Sequence, residues 1–159
     1  MKIWRYCLSI FFAAIMLSSC GGDAKMSASS VAGRETVKAQ IDGYSSRVLD
    51  AIALPDHRIT NDRRVDQACG GSEAYGVDHF WQLELEGVEA PQLTQAIERL
   101  HGYLLAEGWE ISTYTLPPAT TSAAISATNP RDGYVVWAKG IDGLNRVAVQ
   151  VSSPCVRLS

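Results

Sequence analysis

Histidine is scarce in this chain, and the three present, His57, His79 and His101, fall on separate predicted elements. No His-x-x-x-His or comparable spacing links any two of them. Zinc needs several such ligands converging, so surface or boundary positions account for all three and no metal is expected. Cys-x-x-Cys is absent, which removes the usual redox motif. A Gly-x-Ser-x-Gly nucleophile elbow is absent too; Ser152 and Ser153 stand beside Pro154, where small residues suit a strand end. Basic residues are too few for a nucleic-acid partner: 14 Lys and Arg against 17 Asp and Glu leave a net charge of −3, the wrong sign for a phosphate backbone. Glu84 and Glu86 share a strand face, as glycosidase carboxylates would, but alternating acids are the ordinary composition of a wet sheet face. Asp56, Asp62 and Asp66 are interleaved with Arg58, Arg63 and Arg64 and lack the calcium-loop spacing. There are no internal repeats and no heptads. These absences together predict a protein without catalytic set or cofactor.

What is present begins at the N-terminus. Lys2 and Arg5 precede Leu8 to Leu17, an apolar run interrupted by Ser9. A basic flank followed by a short apolar run is the layout of an export signal, and the run is short of the roughly 20 residues that a membrane helix needs. Leu17-Ser18-Ser19-Cys20 then resembles the bacterial lipobox, an aliphatic residue and two small residues before Cys. The resemblance implies cleavage after Ser19 and a diacylglycerol thioether on Cys20. It divides the chain into a signal peptide (1–19), a lipidated Cys with a small, polar tether (20–33) and one domain (34–159). Each buried acyl CH₂ is worth about 0.8 kcal/mol, so a multiply acylated Cys20 anchors without spanning. The expected location is extracytoplasmic, on the outer face of the cell membrane or, in a diderm, at the outer membrane. Removing the signal's two positive charges from −3 leaves −5 on the remainder, which argues against a second, electrostatic attachment to anionic lipid.

Four cysteines are present. Cys7 lies in the signal and Cys20 takes lipid, which leaves Cys69 and Cys155 as an even pair in an exported domain. A Cys69–Cys155 disulfide is the expected outcome, against a redox or metal pair for which no neighbouring His exists. Closing so long a loop stabilises by about 4–5 kcal/mol on the chain-entropy account.

Periodicity supplies the elements. Val37, Ile41, Tyr44, Val48 and Ile52 form a helical stripe within Arg34 to Leu54, ended by Pro55. Asp56 to Gln67 is charged and reads as irregular, with Asn61-Asp62 as a turn. Val77 to Val88 alternates, with Trp81, Leu83 and Leu85 on one face and Gln82, Glu84 and Glu86 on the other. Leu93, Ile97, Leu100 and Leu104 mark a second helix, with Pro91 in its first turn and Gly108 at its cap. Trp109 to Thr113 opens a strand. Ala119 to Thr128 reads as a loop or a weak strand, Asn129-Pro130-Arg131-Asp132-Gly133 as a turn, and Tyr134 to Lys139 as β. Gly140-Ile141-Asp142-Gly143 reads as a hairpin turn before the alternating Asn145 to Val151. Few connecting helices among one-sided strands predict an α+β fold: a mostly antiparallel sheet of four or five strands, two helices on one face, one disulfide.

Trp81 and Trp109 share parity with core residues and are expected inside. Trp137 has parity opposite to Tyr134 and Val136; if it lies outward it is the candidate contact residue. The lipobox, Cys69-Gly70-Gly71, Asp132-Gly133-Tyr134 and Ser153-Pro154-Cys155 together resemble small actinobacterial lipoproteins of unknown function, a resemblance that implies extracytoplasmic placement and no activity. The expected role is non-enzymatic, the binding of a protein or envelope component through the sheet face or the charged loop. An inhibitor or immunity protein acting on a secreted enzyme is the alternative, and a hydrolase the third reading.

Overall fold

The computed structural model describes residues 28–71, 73–86, 90–118, 122–141 and 143–158. The signal segment, Cys20 and residues 21–27 of the tether lie outside them. Among the described residues are two helices, α1 (Ala28–Ile52) and α2 (Ala90–Ala106), and eight strands: β1 (His57–Asp66), β2 (Ala74–Tyr75), β3 (Val77–Leu85), β4 (Glu110–Thr115), β5 (Ala124–Thr128), β6 (Val135–Ile141), β7 (Arg146–Ser152) and β8 (Val156–Arg157). Six of the strands form one antiparallel sheet in the order β1-β3-β7-β6-β5-β4, and β2 pairs with β8 in a short separate ribbon. No helix among the described residues is long and apolar enough to cross a membrane.

Both helices pack on one face of the sheet, the α+β arrangement expected from the pattern. Val37, Ile41, Val48 and Ile52 of α1 and Leu93, Ala96, Ile97, Leu100 and Leu104 of α2 are buried there. The sheet meets them with the alternate residues of its strands: Val77, Trp81, Leu83 and Leu85 of β3, Val147, Val149 and Val151 of β7, Val136 and Ala138 of β6, Ile125 and Ala127 of β5. Strand period two and helix period 3.6 thus deliver two apolar surfaces to one layer interface. The sheet is graded in side-chain size, with small Ala127, Ala138 and Gly140 beneath α2. A Cβ on Gly140 would lie 3.2 Å from Leu93 Cβ, so the missing side chain lets α2 approach the strand.

The helix ends are satisfied by identifiable donors. At the end of α2 the Trp109 N–H donates to the Leu104 carbonyl (2.9 Å) and the Gly108 N–H to that of Leu105 (3.0 Å). With Gly108 at φ +78°, this is the six-to-one and five-to-two pairing of a Schellman cap. At the end of α1 the Arg99 guanidinium of α2 donates to the Ile52 carbonyl at 3.0 and 2.7 Å, closing an orphan acceptor.

Three expectations change. The sheet has six strands, beyond the four or five expected, chiefly because Asp56 to Gln67 is not irregular. It forms β1, an edge strand paired along β3 and exposed along nearly all its length. An edge strand presents little of itself to a core, so charged residues at successive positions are compatible with it. Helix α1 opens at Ala28, inside the segment read as tether. Gly140 and Ile141 belong to β6, so the hairpin turn falls later, where the Leu144 N–H reaches the Ile141 carbonyl (3.2 Å) and Asn145 has φ +48°.

Cys69 and Cys155 form the expected disulfide, with Cα atoms 5.7 Å apart across 86 residues. It ties the segment after β1 to the segment after β7. Ser153 exchanges two bonds with Val77 beside it: its N–H donates to the Val77 carbonyl and its Oγ accepts from the Val77 N–H, both 2.9 Å. Gln67 Nε2 donates to the Ser153 carbonyl (3.0 Å) and to Asp78 Oδ1 (2.9 Å). At the same end of the sheet, where Val135 pairs with Ser152, the Asn129–Tyr134 turn docks on α1. Asn129 Nδ2 donates to the Tyr44 hydroxyl (2.9 Å), and Tyr44 donates to Asp132. Tyr44 also sits edge-on to Trp109, 5.3 Å between ring centroids. Trp81 and Trp109 are buried, as their parity predicts.

Candidate functional site

The face of the sheet opposite the helices is uncovered, and its composition follows from register. One row of laterally paired residues crosses all six strands: Arg63 (β1), Phe80 (β3), Gln150 (β7), Trp137 (β6), Ser126 (β5) and Thr113 (β4). Paired residues in an antiparallel ladder project to the same side, so an aromatic pair flanks Gln150. Phe80 and Trp137 stand two strand spacings apart, about 10 Å. Trp137 is 39% exposed, one of five exposed large hydrophobic side chains among the described residues. Between the two rings lies an open cleft of about 360 Å³ floored by Gln82, Ala148 and Gln150, with Asn61 and Arg63 at its rim.

Each polar group in the cleft has a defined partner. Arg63 lies over the Phe80 ring, 5.2 Å from guanidinium carbon to centroid, a cation–π geometry that aims its donors over the cleft. Asn61 Nδ2 donates to Gln82 Oε1 (2.8 Å). Gln150 Nε2 donates to Ser152 Oγ (2.9 Å) and Asp78 Oδ1 (3.3 Å). Each of the two glutamine amides is therefore fixed at one end by these bonds, which orients the other end. The nearby acids are engaged. Asp78 also accepts from Ser152 Oγ (2.6 Å) and Gln67. Glu84 sits between Arg146 and Arg58, and the hydrogen bond from Arg146 above all holds its carboxyl below the usual carboxylate range. A glycosidase acid needs a carboxyl that keeps its proton; Glu84 is the reverse.

Trp137 is thus outward, on the side its parity allows. Phe80 was legible in the same way, sharing parity with Gln82 and Glu84. Arg63 and Asn61 were missed because their segment reads as a loop.

A second cluster lies on the helix side, and here a correction is due. His57 is exposed, with Nδ1 against the Leu54 carbonyl, and His101 is part-buried and stacked on Tyr114. His79, by contrast, is neither surface nor boundary but 6% exposed, since it takes an inward position of β3. Its Nδ1 lies 2.7 Å from Ser45 Oγ and its Nε2 2.8 Å from Asp62 Oδ1. Serine, histidine and aspartate come from α1, β3 and β1 and form one continuous chain beside a hollow of about 140 Å³, also lined by Leu49, Ile59 and Trp81. No sequence spacing announces it, because the three residues meet only through tertiary packing.

The composition of this chain matches a hydrolytic triad; its setting does not. An acyl-transfer nucleophile needs donors for the oxyanion. Ser45 stands well inside a helix of 25 residues, where the neighbouring backbone N–H groups are committed to carbonyls one turn back. Ser45 is itself only 6% exposed. The chain satisfies a buried imidazole at both nitrogens and bolts α1 to the edge of the sheet. No cluster of three or more potential metal ligands occurs among the described residues.

The chain matches no protein-family model, no curated protein and no solved structure.

Proposed function

We propose that this protein is a membrane-anchored extracytoplasmic lipoprotein, held through Cys20, whose domain binds a protein or cell-envelope component without catalysing a reaction. The observation that carries the reading is the asymmetry of the sheet. One face is sealed by two helices, while the other presents an exposed tryptophan beside a cleft of oriented amides and a guanidinium. Exposed Trp and Arg at a concave surface are typical anchors of recognition. The basic and apolar N-terminal segment with Leu17-Ser18-Ser19-Cys20 supports the anchored location, and the Cys69–Cys155 tie suits an oxidising compartment.

Two measurements test it. Intact mass of the protein from a bacterial host should correspond to residues 20–159 plus acyl groups, with Cys69 and Cys155 alkylated only after reduction; an unlipidated, full-length mass sinks the anchored part. Affinity capture of the lipidated protein from its own envelope should recover a reproducible ligand that is lost with Trp137→Ala. Recovery of nothing reproducible, or capture indifferent to Trp137, sinks the binding part.

A further inference from the structure

Resting on the reading of the uncovered face as the binding surface, we propose that its cleft is a subsite for a carboxylated sugar of an envelope glycan. A pyranose ring stacks on Trp137, and the carboxylate on the same or the adjoining sugar is taken by Arg63.

Charge is the first argument. The protein is acidic overall, at −3, yet the cleft is lined by Asn61, Arg63, Phe80, Gln82, Trp137 and Gln150, with a cation and no carboxylate among them. Lys139 stands two residues along β6 on the same face. Among the described residues Arg63 makes no ion pair; its guanidinium is braced by Phe80 alone. The acids on the same face of β3, Asp78 and Glu84, are already occupied by Gln67, Gln150 and Ser152 and by Arg58 and Arg146 respectively. A positive pocket on an acidic protein selects an anion, and a planar guanidinium with an open edge suits a carboxylate.

The polar groups present point the same way. β3, β7 and β6 are paired on both sides, so their backbone groups are spent in ladders and no peptide strand can be added within the cleft. What remains is side-chain chemistry: the planar amides of Gln82, Gln150 and Asn61, each offering a donor or acceptor edge, and the face of an indole. Amide forks that read adjacent hydroxyls, beside a ring face that takes C–H groups, are the complement of a sugar. An apolar peptide side chain would want aliphatic walls, and Ala148 is the one small aliphatic side chain on the floor. The span fits as well: Arg63 and Trp137 are three strand spacings apart, about 14 Å between backbones, and both line the cleft. That distance suits a disaccharide lying across the strands.

The probes are the disaccharide of N-acetylglucosamine and N-acetylmuramic acid, and N,N′-diacetylchitobiose, which lacks the lactyl carboxylate. Binding is followed on the detergent-solubilised lipidated protein by calorimetry and tryptophan fluorescence at low salt. The acidic disaccharide should bind on the order of tenfold tighter than chitobiose, the scale of one charge-assisted contact. Trp137→Ala should weaken both by about tenfold or more, while Arg63→Gln should weaken the acidic sugar by about tenfold more than it weakens chitobiose. Unaltered urea midpoints identify either variant as folded. Equal wild-type affinity for the two sugars, or an Arg63→Gln loss that is the same for both, overturns the carboxylate subsite. If neither sugar binds but Trp137→Ala still abolishes envelope capture, the glycan assignment falls and the binding face stands. If nothing depends on Trp137, both fall.

Discussion

Replacing Ser45 by Ala isolates what the buried histidine needs. The side chain lost is small, and Ala favours the helix, so propensity pushes slightly toward stability. Against that, His79 Nδ1 loses its 2.7 Å partner at a position 6% exposed, where water cannot easily replace it. A buried polar atom left without a partner costs about 1–3 kcal/mol, so a net loss of about 1–2 kcal/mol is expected. Asp62→Asn tests the other end. The Asp62 side chain is 52% exposed, so water can take its place against Nε2, and the loss should stay below about 1 kcal/mol. Urea unfolding of the full-length protein reads both: with a slope of about 2 kcal/mol/M, Ser45→Ala should lower the midpoint by about 0.5–1 M and Asp62→Asn by less. Wild type should not be labelled at Ser45 by a fluorophosphonate probe, because no oxyanion donors flank it. A Ser45→Ala midpoint equal to wild type, or stoichiometric labelling of Ser45, would refute the structural assignment and return the chain to catalysis.

The paired substitution Cys69→Ala/Cys155→Ala should cost about 4–5 kcal/mol, from the loop entropy of 86 residues released in the unfolded state, read as a lower urea midpoint than that of the oxidised protein. Gly140→Val should destabilise by about 1–3 kcal/mol, because even a Cβ there would press on Leu93 at 3.2 Å; a neutral result by thermal unfolding would mean that α2 can lift away. Burial pushes the Tyr134 hydroxyl up to about 12, above its unfolded value of about 10. Its contribution is therefore intact below pH 10 and is lost as pH rises toward 12. Urea midpoints measured across that window should fall less steeply for Tyr134→Phe than for wild type.

The sequence announced those elements in which one physical signal dominates. α2 carries an apolar stripe between Pro91 and Gly108, and β3 and β7 alternate without interruption, so layer, face and parity all followed, including the inward Trp81; for Trp137 on β6 parity left the side open, and the structure puts it outward. The disulfide followed from counting cysteines in a chain read as exported. β1 did not, since both of its faces are largely wet and its charges hide the alternation that register with β3 imposes. Its order comes from hydrogen bonding to a neighbour, a non-local term that no local pattern records. The buried His79 escaped for a related reason. Its inward parity with Trp81 was readable, but its tolerance inside depends on Ser45 and Asp62, which lie 34 and 17 residues away.

That same edge strand joins the two clusters. Between Thr60 and Arg63 the pairing with β3 slips, so Asn61 and Asp62 together oppose the single residue Trp81, a β-bulge. Asn61 takes φ +52°, a left-handed conformation that asparagine tolerates better than most residues. The bulge puts Thr60 and Asn61 on the same face and so shifts the alternation by one residue. Asn61 reaches Gln82 at the rim of the outer cleft, while Asp62 reaches His79 on the helix side. Arg63, the next residue, is returned to the outer face over Phe80. An unbulged strand would put Asn61 inward and Asp62 outward, bringing a carboxylate to the rim of a cleft whose lining has none and leaving His79 Nε2 without its acceptor. The polar chain from Ser45 to Asp62 therefore has a consequence on the far side of the sheet. The bulge that turns Asp62 to His79 is the same one that sets where Asn61 and Arg63 stand.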